Sequence, residues 1–280
     1  PKLEKGINKM LKKLEMWGFI KTATGGREFV SAAQMEKDSL EATLIGKRVA
    51  ELYIDPLTAY HFITCLQRSE SVYLTSFGIL QMICNTIEMR PLLRVKQSEL
   101  DEVNERFLPF ESSILDLEPS IYEPEYDAYL NSLKTAFFME DWIGEFDEEY
   151  LLEKYGIRPG ETRYKVERAD WLLFAAVEMA RMMKKQKMLK EMRKLRLRLK
   201  YGVKEELLAL LKLHNIGRIR ARKLYTHGVK DIGDVKKTDA ASLAQLLGRK
   251  LAIDVKKQVG EEVKIVPERK RKGQISLSDY

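Results

Sequence analysis

From Pro56 to about Arg198 apolar residues recur at helical spacing almost without a break, and no stretch alternates as a half-buried strand does. Pro56, Pro91, Pro109, Pro124 and Pro159 mostly fall between the periodic segments, where a missing N–H and a fixed φ cost little. A chain punctuated in this way folds as helices packed on helices. The spacing predicts helices near 57–68, 75–88, 97–107, 123–139, 147–154, 162–183 and 185–199, with Thr162 as a cap for the sixth.

The flanks differ. Residues 3–16 form an amphipathic helix (Leu3, Ile7, Met10, Leu11, Leu14), after which Trp17-Gly18-Phe19-Ile20 leads into a two-stranded wing. The expected strands are Phe19–Thr22 and Arg27–Val30, turning at Gly25-Gly26, and Ile45–Tyr53 reads as a short closing helix. Helix, wing and helix make most of a winged-helix unit that lacks its first helix. The sequence starts at Pro1 inside the amphipathic helix, so a longer polypeptide ending in this segment is expected. Beyond Tyr201-Gly202, segments at 203–211, 218–226, 242–247 and 252–259 alternate with Gly turns at Asn215-Ile216-Gly217 and His227-Gly228, a small domain of about five helices. The expected class is mainly α: a partial winged helix over 1–55, a helical bundle over 56–200, a helix-hairpin-helix-like domain over 201–265, and a basic disordered tail over 266–280.

Several chemistries are excluded. No apolar run approaches the roughly 20 residues that span a bilayer, and no signal-peptide pattern opens the chain. A cytoplasmic protein without membrane contact is expected. Cys65 and Cys84 are the only cysteines, too few for a disulfide framework or a cysteine-rich zinc site, and read as reduced core thiols. No Gly-x-x-x-x-Gly-Lys-Ser/Thr loop is present to cradle phosphates. Asp147-Glu148-Glu149-Tyr150 superficially resembles a helicase Mg²⁺ box, but it follows no strand and lacks the terminal Asp or His. His61, His214 and His227 have neither metal spacing nor a nucleophile partner. No catalytic residue, metal or cofactor is assigned to this chain.

The net charge of +7 is unevenly spread. Between Asp101 and Tyr150 there are 15 acidic residues against Arg106 and Lys134, whereas Lys184–Lys200 holds nine Lys or Arg against Glu191 alone. The basic run directly follows an unusual helix. At about 100° per residue, Val166, Ala169, Leu173, Ala176, Val177 and Ala180 form one apolar stripe. Tyr164, Arg168, Trp171, Ala175 and Met182 fall on the opposite face. An indole, a phenol and a guanidinium together suit stacking on single-stranded bases beside their phosphates. Periodicity alone is equally met by a helix buried on two sides. With Lys184 and Lys185 just beyond, the face and the basic run suggest one polyanion track.

Leu213-His214-Asn215-Ile216-Gly217-Arg218-Ile219-Arg220-Ala221-Arg222 has the form of a helix-hairpin-helix element, whose Gly turn lets backbone N–H groups reach a phosphate. Arg218, Arg220 and Arg222 cannot all share one helical face, so one or two contact DNA while another pairs with protein. In the tail, Gln274, Leu277 and Tyr280 follow the spacing of a sliding-clamp-binding peptide without its second aromatic, a pattern an unstructured tail also produces.

In order and spacing, Ala42–Pro56, Glu140-Asp141-Trp142-Ile143, Ala169-Asp170-Trp171-Leu172, and Tyr201–Leu208 running into Ile216–Arg222 resemble the archaeal Hjm-type DNA helicases, Ski-like members of superfamily two related to the helicase part of DNA polymerase theta. The resemblance spans nearly the whole chain. It implies the winged helix, helical "ratchet" bundle and helix-loop-helix domain of an ATP-dependent 3′–5′ helicase, without the two RecA-like motors that bind ATP and Mg²⁺. It further implies that Trp171 stacks on a base of the translocating strand across a central pore. By the same resemblance Arg220 and Arg222 contact the exiting strand. A family Arg aligns with Tyr164, which puts that charge role in doubt. The expected partners are single-stranded and forked DNA, the motors of the same polypeptide and the sliding clamp, with the protein a monomer. A protein-interaction scaffold built on the acidic stretch and tail, or an RNA-handling Ski-like role, is the alternative.

Overall fold

The structure is a computed structural model that describes residues 2–23 and 39–261. The described residues are mainly α, with thirteen α-helices and a single two-stranded hairpin. They form two compact units, divided between Lys200 and Tyr201.

In the first unit α1 (Lys2–Met16) leads through a tight turn into β1 (Ile20–Ala23), which pairs antiparallel with β2 (Ser39–Ala42) in the register Ile20↔Ala42 to Ala23↔Ser39. The expected strand Arg27–Val30 and its turn at Gly25-Gly26 lie outside the described residues. The hairpin is closed at its base by Thr43. Its backbone N–H donates to the Phe19 carbonyl at 3.0 Å and its hydroxyl to the Gly18 carbonyl at 2.7 Å. The same hydroxyl accepts from Gly46 N–H at 3.1 Å, capping α2 (Leu44–Leu52). A Cβ at Gly46 would lie 1.9 Å from the Phe19 carbonyl oxygen, so only glycine lets α2 rest on the hairpin's base.

Polar caps start the next helices. Asp55 accepts from Leu57 N–H ahead of α3 (Pro56–Arg68), and Thr75 accepts from Gly78 N–H ahead of α4 (Ser76–Cys84). From Phe77 to Cys84 every residue of α4 is buried, the expected fate of a helix that is apolar all round. It packs against α6 (Tyr126–Ile143) and α8 (Pro159–Met182); α3 packs on α8, α5 (Leu100–Phe107) and α7 (Glu148–Tyr155) pack on α6, and α9 (Gln186–Tyr201) joins the same core. Asp147 is the N-cap of α7, its carboxylate accepting from Tyr150 N–H at 2.9 Å, so the Asp-Glu-Glu-Tyr run is helix-start chemistry. Phe19, Val49, Leu52 and Ile54 belong to the same continuous core as the bundle.

The segment Glu140–Ile143 is a structural hub. Asp141 is bound by the Arg106 guanidinium and accepts from the Tyr155 hydroxyl at 2.6 Å, and Trp142 donates its indole N–H to the Leu199 carbonyl at 2.7 Å. Burial raises the Glu140 carboxyl above the usual carboxylate range, and its Oε2 has no hydrogen-bond partner among the described residues. Cys65 and Cys84 are free and buried; desolvation pushes the Cys84 thiol up to about 12 and the Cys65 thiol well above its ordinary value. The structure also brings His61 beside Cys65 and Asp116, a neighbourhood that spacing did not suggest: the His61 Nδ1 lies 3.8 Å from Cys65 Sγ and 3.7 Å from Asp116 Oδ1.

The second unit opens with two short 3₁₀ turns, Glu205–Leu207 and Leu210–Lys212, where the spacing of 203–211 suggested one segment. Then come α10 (Arg218–Thr226), α11 (Ile232–Lys237), α12 (Ala240–Leu247) and α13 (Arg249–Gln258). Their core is separate, built on Val203, Leu207, Leu210, Ala221, Leu224, Val235, Leu243, Ala252 and Val255. No helix among the described residues is long and apolar enough to cross a membrane.

Candidate nucleic-acid interface

The candidate site lies on α8, a helix of 24 residues and so about 36 Å long. It starts at Pro159 rather than at Thr162, because the Glu161 carboxylate accepts from Arg158 N–H at 2.9 Å and proline fits the first helical position. Thr162 is buried inside the first turn. The whole stripe of Val166, Ala169, Leu173, Ala176, Val177 and Ala180 is buried. So is Ala175, which the wheel placed on the outer face; with Leu172 and Met179 also buried, the core covers more than half the helix circumference.

What stays accessible includes a ladder of aromatic and guanidinium groups, set among exposed Arg163, Glu167 and Arg181. Tyr164 is 46% exposed, and the Arg168 guanidinium lies over its ring at 4.7 Å. Arg168 is also anchored from below, donating to the Glu88 carbonyl, while neighbouring Lys165 donates to the Pro91 carbonyl. One turn on, Trp171 is half-buried against the core and its indole N–H donates to the Leu52 carbonyl at 3.2 Å. That carbonyl ends α2, so α2 fixes the indole plane from one side. Three residues on, about 60° round the helix from Trp171 and away from Arg168, comes Phe174, 37% exposed, with the Arg196 guanidinium of α9 over its ring at 5.1 Å. Arg196 is held there by a two-pronged ion pair to Asp170, at 2.8 and 2.9 Å. Tyr164, Arg168, Trp171 and Phe174 therefore line one side of the helix, with guanidinium groups over two of the rings. Each guanidinium has a second partner, the Glu88 carbonyl for Arg168 and the Asp170 carboxylate for Arg196.

Sequence reasoning missed Phe174 and Arg196. Phe174 lies three residues after Trp171 and about 60° from it around the helix, within reach of the same reading, although nothing in the sequence pairs Asp170 with a residue 26 positions later. At the end of α8, Lys184 is exposed, whereas the Lys185 ammonium is bound to Glu70 at 2.5 Å. On α9 the apolar edge (Met188, Leu189, Met192, Leu195, Leu199) is buried and Lys187, Lys190 and Arg193 are exposed.

In the second unit the three arginines of α10 diverge, as alternate positions on a helix must. Arg220 is exposed and donates to the Asn215 carbonyl at 2.8 Å. Arg222 pairs with Glu206 at 2.7 Å and lies over the Tyr225 ring at 5.2 Å. Arg218 opens the helix after Gly217, which provides no side-chain cap. Gln274, Leu277 and Tyr280 lie outside the described residues.

Residues 77–202, from α4 through α9 and so including the ladder, match the family described as archaeal helicase, domain 4. The ATP-dependent DNA helicase Hel308 of Methanocaldococcus jannaschii is 38% identical over 219 residues, 78% of this chain. The chain is related to the archaeal Hel308 DNA helicases. The Hel308 of Methanococcus vannielii is 39% identical over 71% of the chain, and that of Pyrococcus horikoshii 34% identical over 84%. The matched part of the chain accounts for only 17%, 26% and 33% of the length of these three Hel308 proteins.

Proposed function

We propose that this chain is the DNA-holding portion of a Hel308-type ATP-dependent DNA helicase, with α8 as the helix on which one strand is held while motor domains elsewhere in the polypeptide hydrolyse ATP. The observation that carries the reading is the ladder. Two aromatic rings with guanidinium groups over them, and an indole between them, stand among exposed charged residues on the accessible side of a helix whose other side is buried. Each aromatic face offers a base about 1–3 kcal/mol of stacking without reading its identity. The exposed cations of α9 supply attraction to phosphate. In this reading the α1–α2 segment is the winged helix, the α3–α9 bundle is the ratchet, and the second unit is the helix-hairpin-helix-like domain whose Arg220 meets the exiting strand. The chain itself makes no ATP or Mg²⁺ contact, and Gln274, Leu277 and Tyr280 are its clamp-binding residues.

Photo-crosslinking tests the reading directly. A single-stranded oligonucleotide carrying a halogenated uracil, irradiated with the full chain, should give adducts that map by mass spectrometry to Tyr164, Trp171 or Phe174. Adducts confined to other peptides would refute it.

A further inference from the structure

The second unit contains a repeat that the hairpin motif alone does not absorb. Ile216-Gly217-Arg218, with Ala221 and Leu224 behind it, recurs as Leu247-Gly248-Arg249, with Ala252 and Val255 behind it. The structure places a helix after each glycine, α10 in one case and α13 in the other, but gives the two copies different turns: Gly217 is extended (φ −104°, ψ −173°), whereas Gly248 has a positive φ of 85°. In both copies the residues behind are fully buried: Ala221 and Leu224, Ala252 and Val255. A side chain joins the copies. The Gln258 amide at the end of α13 accepts from His214 N–H at 2.7 Å and donates to the His214 carbonyl at 3.4 Å, gripping the chain just before the first glycine turn.

Between the copies lies an open cleft of about 800 Å³. Asn215 and Arg220 of the first copy line it, and the second copy contributes Arg249, Lys250, Asp254 and Lys257. Four cationic side chains thus meet one carboxylate, and that carboxylate is engaged by the Gln258 amide at 3.0 Å. Arg220, Arg249, Lys250 and Lys257 are all exposed, so they meet a ligand without unfolding anything. Such a cleft fits an extended polyanion with regularly spaced charges.

We infer that the second Gly-Arg hairpin is a nucleic-acid-binding element, and that Arg249, Lys250 and Lys257 form with Arg220 a cleft for consecutive backbone phosphates of DNA. This rests on the DNA-holding reading above and shares Arg220 with it, but Arg249, Lys250 and Lys257 belong to a different unit from the α8 ladder, so the cleft and the ladder can fail separately.

The test compares the full chain with a Lys250→Gln/Lys257→Gln variant and a charge-matched Lys236→Gln/Lys237→Gln control, whose residues lie outside the cleft. The affinity of each for a labelled single strand and for a fork is measured across a salt series. Each phosphate that is no longer neutralised lowers the slope of log K against log salt by about 0.7 on single strands and about 0.9 on duplex. The cleft variant should therefore lose about 1.4 of slope on the single strand, with the control unchanged. Loss on both substrates identifies a single-stranded backbone as the occupant, and loss on the fork alone identifies the duplex arm; either supports the inference. An unchanged slope or an equal loss in the control would overturn it. If the cleft variant is unchanged while Trp171→Ala weakens binding, this inference falls and the ladder stands.

Discussion

The decisive perturbation is at Trp171, because its two contributions can be separated by the choice of replacement. The indole donates one hydrogen bond, to the Leu52 carbonyl, and otherwise rests half-buried on the core. Trp171→Phe removes the hydrogen bond but keeps an aromatic face. The cost should be about 0.5–1.5 kcal/mol of stability with little change in DNA affinity. Trp171→Ala also removes the face. Complete loss of a fully buried Trp costs about 3–5 kcal/mol, so a half-buried one costs less, and a domain with about 5–15 kcal/mol in hand stays folded. The loss of stacking is then read cleanly as about 1–3 kcal/mol of binding, or about 5- to 140-fold in Kd. Fluorescence anisotropy with a labelled single strand at fixed salt gives the Kd values, and urea melts confirm that each variant is native under assay conditions. Equal affinity for wild type and Trp171→Ala would show that the ring is only a brace between α8 and α2. So would equal losses for Trp171→Phe and Trp171→Ala, since the shared defect would then be the missing bond to Leu52.

Further outcomes follow from single contacts. Gly46→Ala should destabilise the first unit by about 1–3 kcal/mol, since its Cβ would lie 1.9 Å from the Phe19 carbonyl oxygen, whereas Gly6→Ala in α1, with nothing within 4 Å, should be neutral or slightly stabilising in the same thermal melts. Glu140 has a raised folded pKa, so it favours the native state below the ordinary Glu pKa and loses that contribution as pH rises through the folded value; Glu140→Gln should flatten the stability–pH profile above pH ~4.3 and be more stable than wild type near neutrality. Arg222→Gln, which breaks the pair with Glu206, should lower the stability of the second unit by at most about 1 kcal/mol in urea melts, while Arg220→Gln should leave stability unchanged and weaken DNA binding with a shallower salt dependence.

Much of this architecture could be read from local pattern, and the exceptions have physical reasons. Long amphipathic helices such as α3, α8 and α9 announce themselves by period, and Asp55-Pro56 announces the start of one by its cap. The six-residue α11 is too short to show a period, and its start is marked only by the Asp231 cap. The pairing of β1 with Ser39–Ala42 was not legible, because it is fixed by Thr43 reaching back to Gly18 and Phe19 rather than by a local turn signal. The ladder was half legible. Tyr164, Arg168 and Trp171 share a face by arithmetic, yet the bonds that orient Arg168 and Trp171 reach back 80 and 119 residues, to the carbonyls of Glu88 and Leu52. Backbone carbonyls carry no sequence signature. The basic run of α9 was legible as charge, but not the allocation of Arg196 to Asp170 or of Lys185 to Glu70.

The two sulfhydryls have a practical meaning for anyone following this chain on DNA. Both are walled in and held far from their anionic form, so neither meets a maleimide at neutral pH while the fold is intact. A cysteine introduced at an exposed position of α8 or beside Lys250 would then be the only one to take a dye. Distance changes along either element could be followed in the otherwise native protein, with no background to subtract.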